Sequence, residues 1–146
     1  MSLHFVNFEP EHLLFIQDVS AFVTEEQKGL DLLELGKESK RNGPCLTLVD
    51  KEVIACGGIW TVWPETAEIW LRLSESHVGH EAAAELREQM FRWIEEGHFN
   101  RMQAHSQTRW EKNCKFLSWL GMQREGTLRK FGPHGLDQEI YAWVRP

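Results

Sequence analysis

Two imidazoles, His77 and His80, stand three residues apart, a spacing that puts both on one helical face and could hold a metal ion. No third ligand with fitting spacing lies near them, so no metal site is expected. The same stretch, Ser76 to Glu81, reads as a capped helix start, with Glu81 a favourable charge in the first turn. The three cysteines, Cys45, Cys56 and Cys114, are odd in number and match no zinc or redox spacing. They read as reduced, partly buried thiols of a cytoplasmic protein. No Ser/His/Asp or Cys/His set carries a local nucleophile signature. His105 reads as an ordinary, partly buried strand histidine, and Glu68, taken alone, as an exposed strand residue.

The elements that would position these groups follow from periodicity. Residues 4–8 alternate and stop at Glu9-Pro10, which predicts a strand and then a helix start. His12, Phe15, Ile16, Val19, Phe22 and Val23 keep the spacing of one helix face. Thr24 and Gln27 form a capping box for a second helix, which Asn42-Gly43-Pro44 ends. Two strand runs meet at Asp50-Lys51 in a tight hairpin, and Trp63-Pro64-Glu65 breaks the second. In residues 67–74, Ala67, Ile69, Leu71 and Leu73 alternate with Glu68, Trp70 and Arg72. A helix follows with Ala83, Leu86, Met90, Trp93 and Ile94 on one face, and Gly97 suits its C-terminus. Residues 101–107 are a strand. Thr108 and Glu111 make another capping box for a helix closed by Gly121. The tail is a hairpin around Gly132-Pro133-His134-Gly135. Helices after the fourth and fifth strands imply crossovers and at least one parallel pair.

With 146 residues, no repeat and no linker, one domain spanning 1–146 is the simplest organisation. Hydrophobic residues at 42% and charged residues at 26% exclude disorder. A formal net charge of −6 with scattered basic residues gives no nucleic-acid face. No apolar run reaches the roughly 20 residues that span a bilayer, and no signal peptide is present, so no membrane partner is expected. Seven tryptophans stand against one tyrosine, Tyr141. The tryptophans read mostly as core, with some free to line a cleft where the fourth and fifth strands splay and an exposed subset suited to a protein interface.

The order strand, two helices, three strands, helix, strand, helix, two strands is similar to that of the GNAT superfamily of acetyl-CoA-dependent N-acetyltransferases. Residues 99–131 resemble the family's strand, helix, Leu-Gly-Phe turn and Glu-Gly strand, with Leu120, Gly121 and Met122, then Arg124, Glu125, Gly126, Leu128 and Arg129. Residues 67–80 resemble its fourth strand and following loop. Trp63-Pro64 and the Phe116–Met122 turn are closest to small phage and prophage members, some of them internal virion or morphogenesis proteins.

The resemblance implies an α/β (α+β) fold with a mixed central sheet of about seven strands flanked by about four helices. It implies acetyl-CoA as cofactor, with its pyrophosphate on backbone N–H groups at a helix N-terminus. The family pattern Gln/Arg-x-x-Gly-x-Gly/Ala falls on Ser76, His77, Val78, Gly79, His80 and Glu81, so the basic residue is replaced by Ser76 and a small residue by Glu81. Asn113 joins this cofactor set, while Trp110 holds the family's usual asparagine position. Glu68 takes the position of the general base, and Leu117 that of the tyrosine acid. Three functions stay open. One is acetyl transfer to a small-molecule or protein amine. The second is a phage assembly or interaction module, as a homodimer or with a phage protein, associated with the virion. The third is a CoA-thioester binder without turnover.

Overall fold

The computed structural model describes residues 2–16, 32–74 and 79–146. Strand β1 (His4–Asn7) leads into a 3-10 turn, Pro10–Phe15, and helix α1 (Leu32–Asn42) follows. A meander of β2 (Cys45–Asp50), β3 (Glu52–Trp63) and β4 (Thr66–Leu73) comes next. Helix α2 (His80–Gly97) crosses to β5 (Arg101–Gln107), and helix α3 (Glu111–Trp119) crosses to β6 (Gln123–Leu128) and β7 (Gln138–Val144). From α1 onward the element order matches the periodicity, while the first of the two expected helices is described only as a 3-10 turn. The seven strands form one mixed sheet in the order β1-β2-β3-β4-β5-β7-β6. Every neighbour is antiparallel except β4 and β5.

The period-two pattern of β4 decides its faces. Ala67, Ile69 and Leu71 are buried in the same cluster as Leu86, Met90, Trp93 and Ile94 of α2. Glu68, Trp70 and Arg72 are half-buried on the other face. At Gly58, across from Trp70, an added Cβ would lie 2.6 Å from the Cys45 side chain and 2.8 Å from the Trp70 indole nitrogen. Only glycine lets that indole close on β3.

Local details depart from the sequence expectations. In α2 the buried position is Ala82, with Ala83 half-buried. The left-handed C-cap of α2 is His98 (φ 54°), not Gly97. Gly97 is needed for space, because a Cβ there would meet the Phe99 ring at 2.3 Å. The Thr108–Glu111 capping box does not form. Trp110 is the N-cap, without a side-chain cap, and Thr108 N–H instead donates to the Asp137 carbonyl. After Pro10 the turn is 3-10, so Leu13 and Ile16 point inward at a spacing of three, and Phe15, expected inside, is 68% exposed. Val19, Phe22, Val23 and the Thr24–Gln27 box lie outside the described residues. The tail hairpin, the Gly121 stop (φ 103°) and the break at Trp63 follow the sequence. Among the described residues no helix is long and apolar enough to cross a membrane.

Candidate functional site

Strands β4 and β5 pair over three positions only, Thr66 with Arg101, Ala67 with Met102 and Glu68 with Gln103. Beyond Glu68 they diverge, and a cleft of about 160 Å³ opens between them. Parallel register fixes what enters it. Residues Gln103 and His105 of β5 lie on the same face as Glu68, Trp70 and Arg72 of β4, because side chains alternate along both strands. Helix α3 closes one side with Asn113, Phe116 and Leu117.

Glu68 sits at the paired end of the cleft, held by neighbours from both adjoining strands. Trp60 Nε1, directly across on β3, donates to its Oε2 at 3.0 Å, and Gln103 Nε2 donates to Oε1 at 2.9 Å. His105 Nε2 lies 3.5 Å from the same Oε1, with the two side chains 19% and 15% exposed. The His105 ring packs against Phe131, centroids 5.2 Å apart. A carboxylate behind an imidazole in a half-dry cleft can accept and stabilise a proton. His105, read from sequence as an ordinary strand histidine, is therefore part of the constellation. Its signal was its even spacing from Gln103 on a strand parallel to that of Glu68.

Buried polar atoms near the cleft are left without partners. Asn113 Nδ2 and Trp70 Nε1 have none, and neither do Ser106 Oγ and Gln107 Nε2 in β5. Such orphans mark sites where a polar ligand can complete the bonding. Leu117, at the position of the family's tyrosine, is an apolar wall of the cleft. The lone Tyr141 lies elsewhere, in a groove of about 360 Å³ with Cys114 and Glu139. Burial, with the Cys114 thiol beside it, pushes the Tyr141 phenol above its ordinary range.

The N-terminus of α2 meets helix α3, which walls the cleft. Gly79 is its N-cap in extended conformation with no side-chain cap, and the space where its Cβ would be is open. Among the described residues, the first N–H groups of this 18-residue helix have no side-chain cap, and His80 and Glu81 beside them are exposed. The His80 ring lies edge-on to Trp119, 6.3 Å between centroids, and Trp119 stacks on Phe116, a cleft residue. Arg87 lies over the Trp119 ring at 5.3 Å, a contact that sequence reasoning had missed. Ser76, His77 and Val78 lie outside the described residues. Among the described residues no cluster of three metal-ligating side chains occurs.

The tryptophans divide differently from the expectation of a mostly buried set. Trp93 alone among them is fully buried, while Trp60 and Trp70 line the cleft. Trp63 is 69% exposed at the β3–β4 tip beside exposed Val62.

No protein-family model matches the sequence, and no curated protein matches it. Solved structures do. An N-acetyltransferase from Staphylococcus aureus Mu50 superposes with a TM-score of 0.77 at 16% identity, over 99% of both chains. A GNAT-family acetyltransferase from Bacillus anthracis gives 0.76 at 16%, over 99% of this chain and 95% of its own. The ribosomal L7/L12 alpha-N-protein acetyltransferase RimL, solved with coenzyme A, gives 0.77 at 15%, over 99% and 94%. The chain has the mixed seven-stranded α/β GNAT fold of these acetyltransferases.

Proposed function

We propose that the protein transfers an acetyl group from acetyl-CoA to an amine, in the cleft between β4 and β5. The observation that carries this is the Glu68–His105 pair in that cleft, with the α2 N-terminus touching the cleft wall through Trp119. The residues fit the cofactor. The α2 N–H groups at His80 and Glu81 would hold its diphosphate, and the orphaned Asn113 amide would donate to it inside the cleft. Bound acetyl-CoA would supply an activated acetyl group, whose carbon–sulfur bond breaks as the amine nitrogen bonds its carbonyl carbon, the sulfur taking its proton from water. The proton the amine must lose leaves through the Glu68–His105 pair, and the indole and phenyl walls line the cleft around it. Leu117 offers no acid, which lowers the expected rate by a factor of about 100 relative to a site with one. The reading treats the chain as one domain working in the cytoplasm.

The test begins with the thermal midpoint at millimolar acetyl-CoA. Saturation near 100 times the dissociation constant adds about 2.7 kcal/mol and several degrees. Thiol release is then followed across a panel of amines, with Glu68→Gln as control. Neither a shift nor any thiol release would end this reading.

A second reading, a phage-type module that keeps the fold for binding and not turnover, is favoured by exposed Trp63 and Val62 and by Leu117. It takes a second copy or a phage protein as partner. Sedimentation of wild type and Trp63→Ser tests the first of these: a dimer weakened by the substitution supports it, and a strict monomer with turnover removes it.

A further inference from the structure

Resting on the acetyl-transfer reading, we propose that His105 and not Glu68 takes the amine proton, at Nδ1, and that Glu68 is a positioning residue that fixes the imidazole tautomer. Both Glu68 oxygens are already engaged. Oε2 accepts from Trp60, and Oε1 accepts from Gln103. These are neutral donors fixed on the neighbouring strands β3 and β5, so the carboxylate is held in place and an incoming ammonium must compete for it. The same Oε1 faces His105 Nε2 at 3.5 Å. A carboxylate beside one imidazole nitrogen favours the tautomer with its proton there. That leaves the lone pair on Nδ1, which has no hydrogen-bond partner among the described residues.

The ring is also held. Phe131 covers it at 5.2 Å, and the imidazole lines the cleft beside the orphaned Asn113 amide. The transfer is simple in its balance: the ammonium N–H bond breaks, an Nδ1–H bond forms, and the electron pair stays on the amine nitrogen. The imidazolium so formed lies against the Glu68 carboxylate, whose charge offsets it. The arrangement follows the general logic of an acid behind a histidine, in which the acid orients and stabilises without being protonated. A separation of 3.5 Å is long for a hydrogen bond, as such pairs often are before substrate closes the site.

Two measurements test this. The first is ¹H–¹⁵N correlation of the His105 side chain in the free protein at mildly alkaline pH. The Nε2–H tautomer is expected in wild type and a mixture in Glu68→Gln. An Nδ1–H tautomer in wild type overturns the assignment whether or not turnover is seen. The second is kinetics with an accepted amine. His105→Ala should lose about 100-fold or more in kcat/KM, with its acetyl-CoA thermal shift intact and part of the rate restored by added imidazole. Glu68→Gln should lose about tenfold, mostly in kcat. A His105→Ala variant within about threefold of wild type overturns the proposal. Wild type that acetylates no amine while showing the Nε2–H tautomer sinks the transfer reading and still supports the tautomer assignment.

Discussion

Trp60 is the residue whose removal most directly reports on the site, because its indole N–H donates to Glu68 Oε2. Trp60→Phe keeps the ring and deletes that bond. A hydrogen bond to a charged group is worth about 1.5–3 kcal/mol, so kcat/KM should fall about tenfold or more while the acetyl-CoA thermal shift stays. Cys56 gives a prediction of a different kind. Burial pushes its thiol up to about 12, against a weaker lowering by the Thr47 hydroxyl. The thiolate is the reactive form, so iodoacetamide at about pH 8 should spare Cys56 in the native protein and label it once urea unfolds the chain. Mass spectrometry of the native digest showing rapid Cys56 labelling would contradict the packing. At this scale the sequence was only half legible. Glu68 was found through a resemblance. His105 was passed over because its partner comes from another strand, brought alongside by a parallel crossover that no local pattern encodes. The free thiols were legible, since spacing alone excludes a motif.

Helix α2 lays Met90, with no exposed surface, into the cluster that carries the buried face of β4. Met90→Ala should cost about 2–5 kcal/mol in urea unfolding. Gly97 provides a sharper test of packing against propensity. Alanine gains about 1 kcal/mol as a helix former, yet its Cβ would stand 2.3 Å from the Phe99 ring. Overpacking of that kind costs about 1–3 kcal/mol, so Gly97→Ala should come out neutral to destabilising, and a stabilised variant would show that Phe99 moves freely. Strands and the α2 face were readable because period two and period 3.6 survive in the core. The end of α2 was misread since a glycine there satisfies two explanations, and its role turned on a ring two residues on. The Pro10 segment was misread because a 3-10 turn and an α-helix share their first residues and part only at Phe15.

Across the molecule, Arg101 reaches from β5 past β7 to grip Glu125 of β6, with donors at 3.0 and 2.6 Å. That hydrogen bond, from the Arg101 guanidinium, holds the Glu125 carboxyl below its ordinary range. A carboxyl with a lowered folded value contributes stability above its unfolded value, near 4.3, and loses it as pH falls through the folded one. The pair is partly exposed, so Glu125→Gln should cost only about 0.2–1 kcal/mol at neutral pH, and the difference should fade as pH falls below the ordinary carboxylate range. A difference that grows in acid would reverse the sign of the argument. That the sheet holds a parallel pair was legible from the helices after the fourth and fifth strands, while the order of the strands was not. The place where β4 and β5 part was not legible either, since nothing in the run of either strand changes at Glu68 or Gln103. That parting makes the sheet two leaves joined at a short seam of three residue pairs. Whatever fills the gap acts as a stitch between them, so occupancy should be readable as slowed amide exchange along residues 69–73 and 104–107, even in the absence of any turnover.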